Sequence, residues 1–280
     1  MPDILLHLAL HIAAALLYAV LGFHFWRTRW RQQPSPPERH VTIYGLERIA
    51  IAVALTLQGI GLYQSLLATG FLRFSFSLAF SLILWLAVLI YWLESFRSQM
   101  EGMLPIVLPF AATAALFPVL FPQTHEIVHS TSAGFKTHFL AAMLAYSLVT
   151  LSALHALFMS LIERKLHHNP ADARRLSPPP VLVMESVLFR LIGIAFLLLT
   201  LTLVTGVFFS EEIFGKAFSL DHKTVFAFAS WCVFAALLLG RKAYGWRGRI
   251  AQRWTLAGFL LLFLAYIGSR FVSEIVLGRM

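Results

Sequence analysis

Histidine supplies most of the chemistry available to this chain. There are 11 histidines among 280 residues, and charged side chains make up only 12%. His138 follows Gly134-Phe135-Lys136-Thr137, and His222 sits inside Leu220-Asp221-His222-Lys223-Thr224. Each stands at the edge of a long apolar run. Neutral imidazole is a good metal ligand near neutral pH. Two imidazoles from facing helices satisfy an iron porphyrin, which takes its axial ligands from opposite faces. His138 and His222 are therefore a candidate metal-ligating pair for haem. A plainer reading stands beside this one for each residue: a helix-start histidine bonded to a loop carbonyl or to lipid headgroups.

Other residues extend the set. His125 and His129 are spaced i, i+4, as are His7 and His11, so each pair would share a helix face. Glu126 is the one carboxylate near the first pair, and interfacial histidines are the simpler account of both. Asp221 can orient the His222 imidazole as an acceptor or cap the helix that follows. Arg270, with Glu274 four residues on, can pair with a propionate, a headgroup phosphate or that glutamate. His155 lies within an apolar segment, toward its inner end. The single cysteine, Cys232, excludes a disulfide framework, and no C-x-x-C-H haem-attachment motif is present. There is no Gly-rich phosphate loop, nucleophile elbow or H-E-x-x-H. The expectation is a protein that is not an enzyme.

These residues need a scaffold, and composition names it. With 59% hydrophobic residues, the chain has more apolar surface than a soluble fold of this size can hide. A polytopic, all-α membrane bundle follows, since a crossing helix needs about 20 apolar residues. Eight segments qualify or nearly do: Ile4–Trp26, Ile49–Leu72, Phe74–Leu93, Gly102–Phe121, Phe139–Ile162, Leu191–Ser210, the short Thr224–Gly240, and one from Trp254 past Arg270. Pro105, Pro109 and Pro118 fall inside the fourth. The first lacks the basic n-region and cleavage site of a signal peptide. The whole of 1–280 reads as one membrane domain, and Gln33-Pro34-Ser35-Pro36-Pro37 and Ser177-Pro178-Pro179-Pro180 read as linkers.

The net charge of +9 is not spread evenly. The odd-numbered connections hold Arg27, Arg29, Arg31, Arg39, Arg97, Arg164, Lys165, Arg174, Arg175, Arg241, Lys242, Arg247, Arg249 and Arg253. The opposite side holds Arg73, Lys136, Lys216, Lys223, Arg270 and Arg279, while Arg48 and Arg190 lie just outside segments two and six. The positive-inside rule places the odd connections in the cytoplasm and both termini on the outer, periplasmic side. The basic excess thus reports topology rather than an acidic ligand. The partner it implies is the lipid bilayer, and no nucleic acid is expected. On this orientation His7, His11, His125, His129, His138 and His222 share the outer side.

The last third carries a resemblance. Leu220-Asp221-His222-Lys223-Thr224, Trp231, Gly245-Trp246-Arg247-Gly248, Gly258-Phe259 and Ala265-Tyr266-Ile267-Gly268-Ser269-Arg270 are similar to the carboxy-terminal region of the cytochrome c assembly membrane proteins of the haem-handling CcsA/ResC type. His138 with Tyr146, and Leu199-Thr200 with Thr205-Gly206, resemble two further helices of that family. The pattern of His129 and His138 resembles its YpjD-like branch of bacterial inner membrane proteins. The resemblance covers about residues 100–276. It implies a multi-pass protein of the bacterial inner (cytoplasmic) membrane that holds haem b at its outer face and assists c-type cytochrome biogenesis, with apocytochrome c or other assembly proteins as partners. By residue, His138 matches the family's first outer histidine, and Asp221 and Lys223 match the residues that close its tryptophan-rich haem loop. The chain departs from the pattern in that loop, where no tryptophan lies between Glu211 and Lys223. The second reading is therefore a non-enzymatic membrane partner or regulator of ion transport or haem synthesis that has lost haem transfer.

Overall fold

The computed structural model describes residues 2–30, 37–67, 72–96, 103–122, 125–126, 132–168, 181–208 and 222–268. Among them are eight helices: α1 (Pro2–Phe25), α2 (Pro37–Leu67), α3 (Phe76–Glu94), α4 (Leu104–Leu120), α5 (Ala133–His168), α6 (Val181–Phe208), α7 (His222–Tyr244) and α8 (Gly248–Phe263). A π-helical turn closes α1 at Trp26–Trp30 and another closes α8 at Leu264–Gly268. Six of the helices are long and apolar enough to cross a membrane, and α4 is a shorter apolar helix. The bundle turns large apolar side chains outward, including Leu16, Val20, Leu197 and Phe208. In water that surface would drive association; in a bilayer it is the solvent-matched face.

Burial sets the architecture. In α5, 72% of the crossing stretch is buried, against 22% in α7, so α5 is the central helix and α7 lies at the periphery. Lipid offers no hydrophobic drive between helices, so close approach and polar bonds hold them together. Gly22 of α1 faces the ring of Pro109 in α4, where an added Cβ would come within 3.1 Å of Cδ. Gln58 of α2 donates to Oγ of Ser81 in α3 at 3.0 Å, and the Trp85 indole donates to the Leu55 carbonyl at 2.8 Å. Ser230 of α7 donates to the Gly258 carbonyl of α8 at 2.8 Å. His155 is fully buried in α5; its Nε2 lies 2.9 Å from the Met184 carbonyl of α6 and its Nδ1 2.8 Å from Sδ of Met103, which precedes α4. It braces three helices.

Each helix begins or ends away from its hydropathy boundary. α2 starts at Pro37, where proline is tolerated because a first-turn N–H has no helical partner; Arg48 is thus inside the helix. α6 starts at Val181, which places Arg190 inside it too. α7 has 23 residues and is not short. α8 starts at Gly248, ahead of Trp254. A two-residue antiparallel pairing, β1 (Arg73–Phe74) with β2 (His125–Glu126), ties the α2–α3 connection to the α4–α5 connection. His125 is therefore in a strand, and the shared helix face expected for His125 and His129 is not formed; His129 itself lies outside the described residues.

The described helix ends beside the odd-numbered connections share one end of the bundle, and polar contacts run around it. His24 of α1 donates to Glu47 of α2 at 2.9 Å. Arg48 donates to the Ser95 carbonyl after α3 at 2.9 Å. Glu94 of α3 accepts from Arg190 of α6. Glu185 of α6 accepts from the Gly248 N–H at 2.8 Å, and Glu163 of α5 accepts from Gln252 of α8 at 2.8 Å. The end that carries His138 is the opposite one.

Candidate functional site

His138 lies in the second turn of α5, because that helix begins at Ala133 and not at the histidine as hydropathy suggested. Its helix starts on Ser132, whose hydroxyl accepts from the Phe135 N–H at 3.0 Å. The early start turns the half-buried imidazole toward α6. There Nδ1 sits 3.1 Å from Oγ1 of Thr205, and the ring rests against Gly206, where an added Cβ would come 3.3 Å from Cε1.

The same hydroxyl has other partners within reach. Thr205 donates to the Leu201 carbonyl at 2.8 Å and reaches the Thr202 carbonyl at 3.1 Å. A hydroxyl proton directed to either carbonyl leaves Oγ1 able to accept from the ring. In that arrangement Nδ1 of His138 is the donor nitrogen and Nε2 the acceptor nitrogen. An imidazole held this way is oriented, as metal-ligating histidines are.

Aromatic rings surround the same stretch of α5. Phe74 of β1 packs edge-on against Phe139 with centroids 5.1 Å apart, and Tyr266 contacts both Phe74 at 6.3 Å and Tyr146 at 5.8 Å. Below them, the cavity beside Tyr146 and Phe263 holds only about 20 Å³. Small-molecule pockets run to roughly 300–1,000 Å³. That cavity is too small for a porphyrin. The imidazole of His138 fits the donor type that would hold haem iron.

His222 is the first residue of α7 and is exposed. Its helix packs on the same α6 through the Trp231 indole, which donates to Thr200 Oγ1 at 2.8 Å, and through the stacked pair Phe196–Trp231. The two candidate histidines thus stand on two helices that flank the Thr205 end of α6. His129, Asp221 and Arg270 lie outside the described residues. His11 is buried beside Gly61 of α2. Cys232 is exposed on α7. Sequence reasoning missed Thr205 and Gly206 as site residues; the Thr-Gly pair within an apolar helix was the available signal.

An eight-helix polytopic membrane bundle with an oriented histidine at one rim is the class of protein these features define. Residues 47–277 match the family model described as "Cytochrome C assembly protein", and the chain belongs to that family. It is 32% identical over 174 residues to the inner membrane protein YpjD of Escherichia coli (strain K12), covering 62% of this chain and 65% of the relative. It is 36% identical over 90 residues to the cytochrome c biogenesis protein CcsA of Prochlorococcus marinus (strain MIT 9515), covering 32% of this chain and 29% of that one. With CcsA of Nostoc punctiforme it shares 32% identity over 119 residues, 41% of this chain and 34% of the relative. The match thus spans about 65% of YpjD and a smaller share of the CcsA proteins. The chain is a multi-pass protein of the bacterial inner membrane.

Proposed function

We propose that this protein holds haem b at its outer face through His138 and serves the biogenesis of c-type cytochromes without catalysing a reaction of its own. One observation carries the reading: the His138 imidazole is held against α6 at the rim of the bundle, with Nδ1 3.1 Å from Thr205 Oγ1. His222, at the start of α7, would help to hold the same haem. Asp221 is assigned to orient it, and Arg270 to pair with a propionate. Bound there, haem would supply the redox-active iron and the porphyrin to be presented to apocytochrome c. The family and the CcsA relatives support this role.

The test is an absorption spectrum of protein purified from haem-replete cells. A Soret band of bis-histidine character, lost in His138→Ala, supports the proposal, and colourless protein overturns it. The missing tryptophans between Glu211 and Lys223 favour a second reading, a membrane partner or regulator without haem transfer. That reading wins if deletion leaves c-type cytochromes intact and alters metal-ion tolerance.

A further inference from the structure

At the end of the bundle away from His138, an open cleft of about 570 Å³ runs between α2 and α3. Its lining is mostly apolar, with Thr56 and Arg48 as its polar side chains. Ile49, Ala52, Val53, Trp92 and Phe96 form the walls, and Arg48 is the one charged residue. Ile49, Val53 and Phe96 are largely exposed, so the cleft opens toward lipid. It reaches from Gly45 to Leu57 along α2, about 18 Å at helical rise. That matches the depth of one bilayer leaflet, about 15 Å of hydrocarbon.

The Arg48 guanidinium is half-buried at the boundary end. It donates to the Ser95 carbonyl through Nη2 and lies 4.9 Å from the centroid of Phe96. The carboxylates around this end are engaged elsewhere: Glu47 with His24, Glu94 with Arg190, Glu163 with Gln252, Glu185 with Gly248. Among the described residues no carboxylate pairs with Arg48. An arginine at a membrane boundary without a countercharge recruits one, and its planar fork suits a phosphate.

We propose that this cleft is a binding site for one anionic phospholipid, its phosphate on Arg48 and an acyl chain along Ile49, Ala52 and Val53. Charge selects the headgroup, and the leaflet-deep apolar wall selects a lipid over a soluble anion. Bulk lipid would wet the same surface without preferring a headgroup.

The experiment uses the full chain, delipidated in detergent and titrated with phosphatidylglycerol or phosphatidylcholine of identical acyl chains, read by native mass spectrometry. Phosphatidylglycerol is expected to be retained about fivefold better, the scale of one basic residue at a membrane surface. Arg48→Gln abolishes that preference. Val53→Trp fills the cleft from its exposed side and lowers retention of both lipids while leaving Arg48 in place, so the proposal stays testable if the arginine variant misfolds. Equal retention of the two lipids overturns the proposal. So does a phosphatidylglycerol preference that survives both substitutions, or its displacement by millimolar inorganic phosphate.

Discussion

Nδ1 of His138 on α5 lies 3.1 Å from Oγ1 of Thr205 on α6, a bond between residues 67 positions apart. The same hydroxyl reaches the Leu201 and Thr202 carbonyls, so this contact ties the orientation of the imidazole to α6. Thr205→Val keeps the shape and removes the acceptor. Haemin titration of the purified variant, followed by absorbance, is expected to show a 10- to 100-fold weaker affinity, the usual cost of losing an orienting partner. Thr205→Ser is expected to restore it. Unchanged affinity in the valine variant would remove the orienting role.

Close approach of α7 and α8 depends on Gly258. A Cβ added there would come 2.7 Å from Cζ of Phe234, which is fully buried and cannot swing away. Gly258→Ala is expected to cost about 1–3 kcal/mol, the range for overpacking a filled core. Gly193 of α6 is the internal control, because nothing lies within 4 Å of the corresponding Cβ. Alanine there is expected to be neutral or stabilising by up to about 1 kcal/mol, since glycine is the poorer helix former. Thermal unfolding in detergent separates the two, and equal behaviour would contradict the packing.

The fold was legible in the sequence because lipid imposes one rule on every segment, and uncharged runs near 20 residues obey it. The helix ends were not, because hydropathy reports where a helix leaves hydrocarbon and not where it stops. Lys136, Thr137 and His138 look like a loop by polarity, yet they continue α5 beyond its apolar run. The β1–β2 pairing was invisible for a different reason: Phe74 and His125 meet only after two helices have folded between them. The site divides the same way. His138 was conspicuous as a rare imidazole, whereas Thr205 became meaningful only once α6 was packed against α5.

Glu94 and Arg190 join α3 to α6 at the end away from His138. Their side chains are 19% and 50% exposed, so water screens the pair and its net contribution is small. Arg190→Gln is expected to cost about 0.2–1 kcal/mol. The exchange Glu94→Arg with Arg190→Glu is expected to recover most of that loss, and either single reversal to be worse than the glutamine variant. A double-mutant cycle on unfolding free energy measures the coupling. A coupling of zero would make the contact a geometric neighbour only.

Orientation in the membrane is the last consequence of the charge pattern. The described helix ends beside the arginine-rich connections meet at one end, where His24–Glu47, Glu94–Arg190 and Glu185–Gly248 link them. The positive-inside rule puts that end in the cytoplasm and His138 on the other side. Two exposed residues report on it without touching the core: Tyr244 at the end of α7, and Pro122 just after α4. With Cys232 first replaced by serine, Pro122→Cys is expected to react with a membrane-impermeant thiol reagent applied to spheroplasts. Tyr244→Cys is expected to react only after the membrane is broken. The reverse pattern would turn the bundle over and place the His138 rim in the cytoplasm. The outer-face haem proposal would then fall even if the protein bound haem.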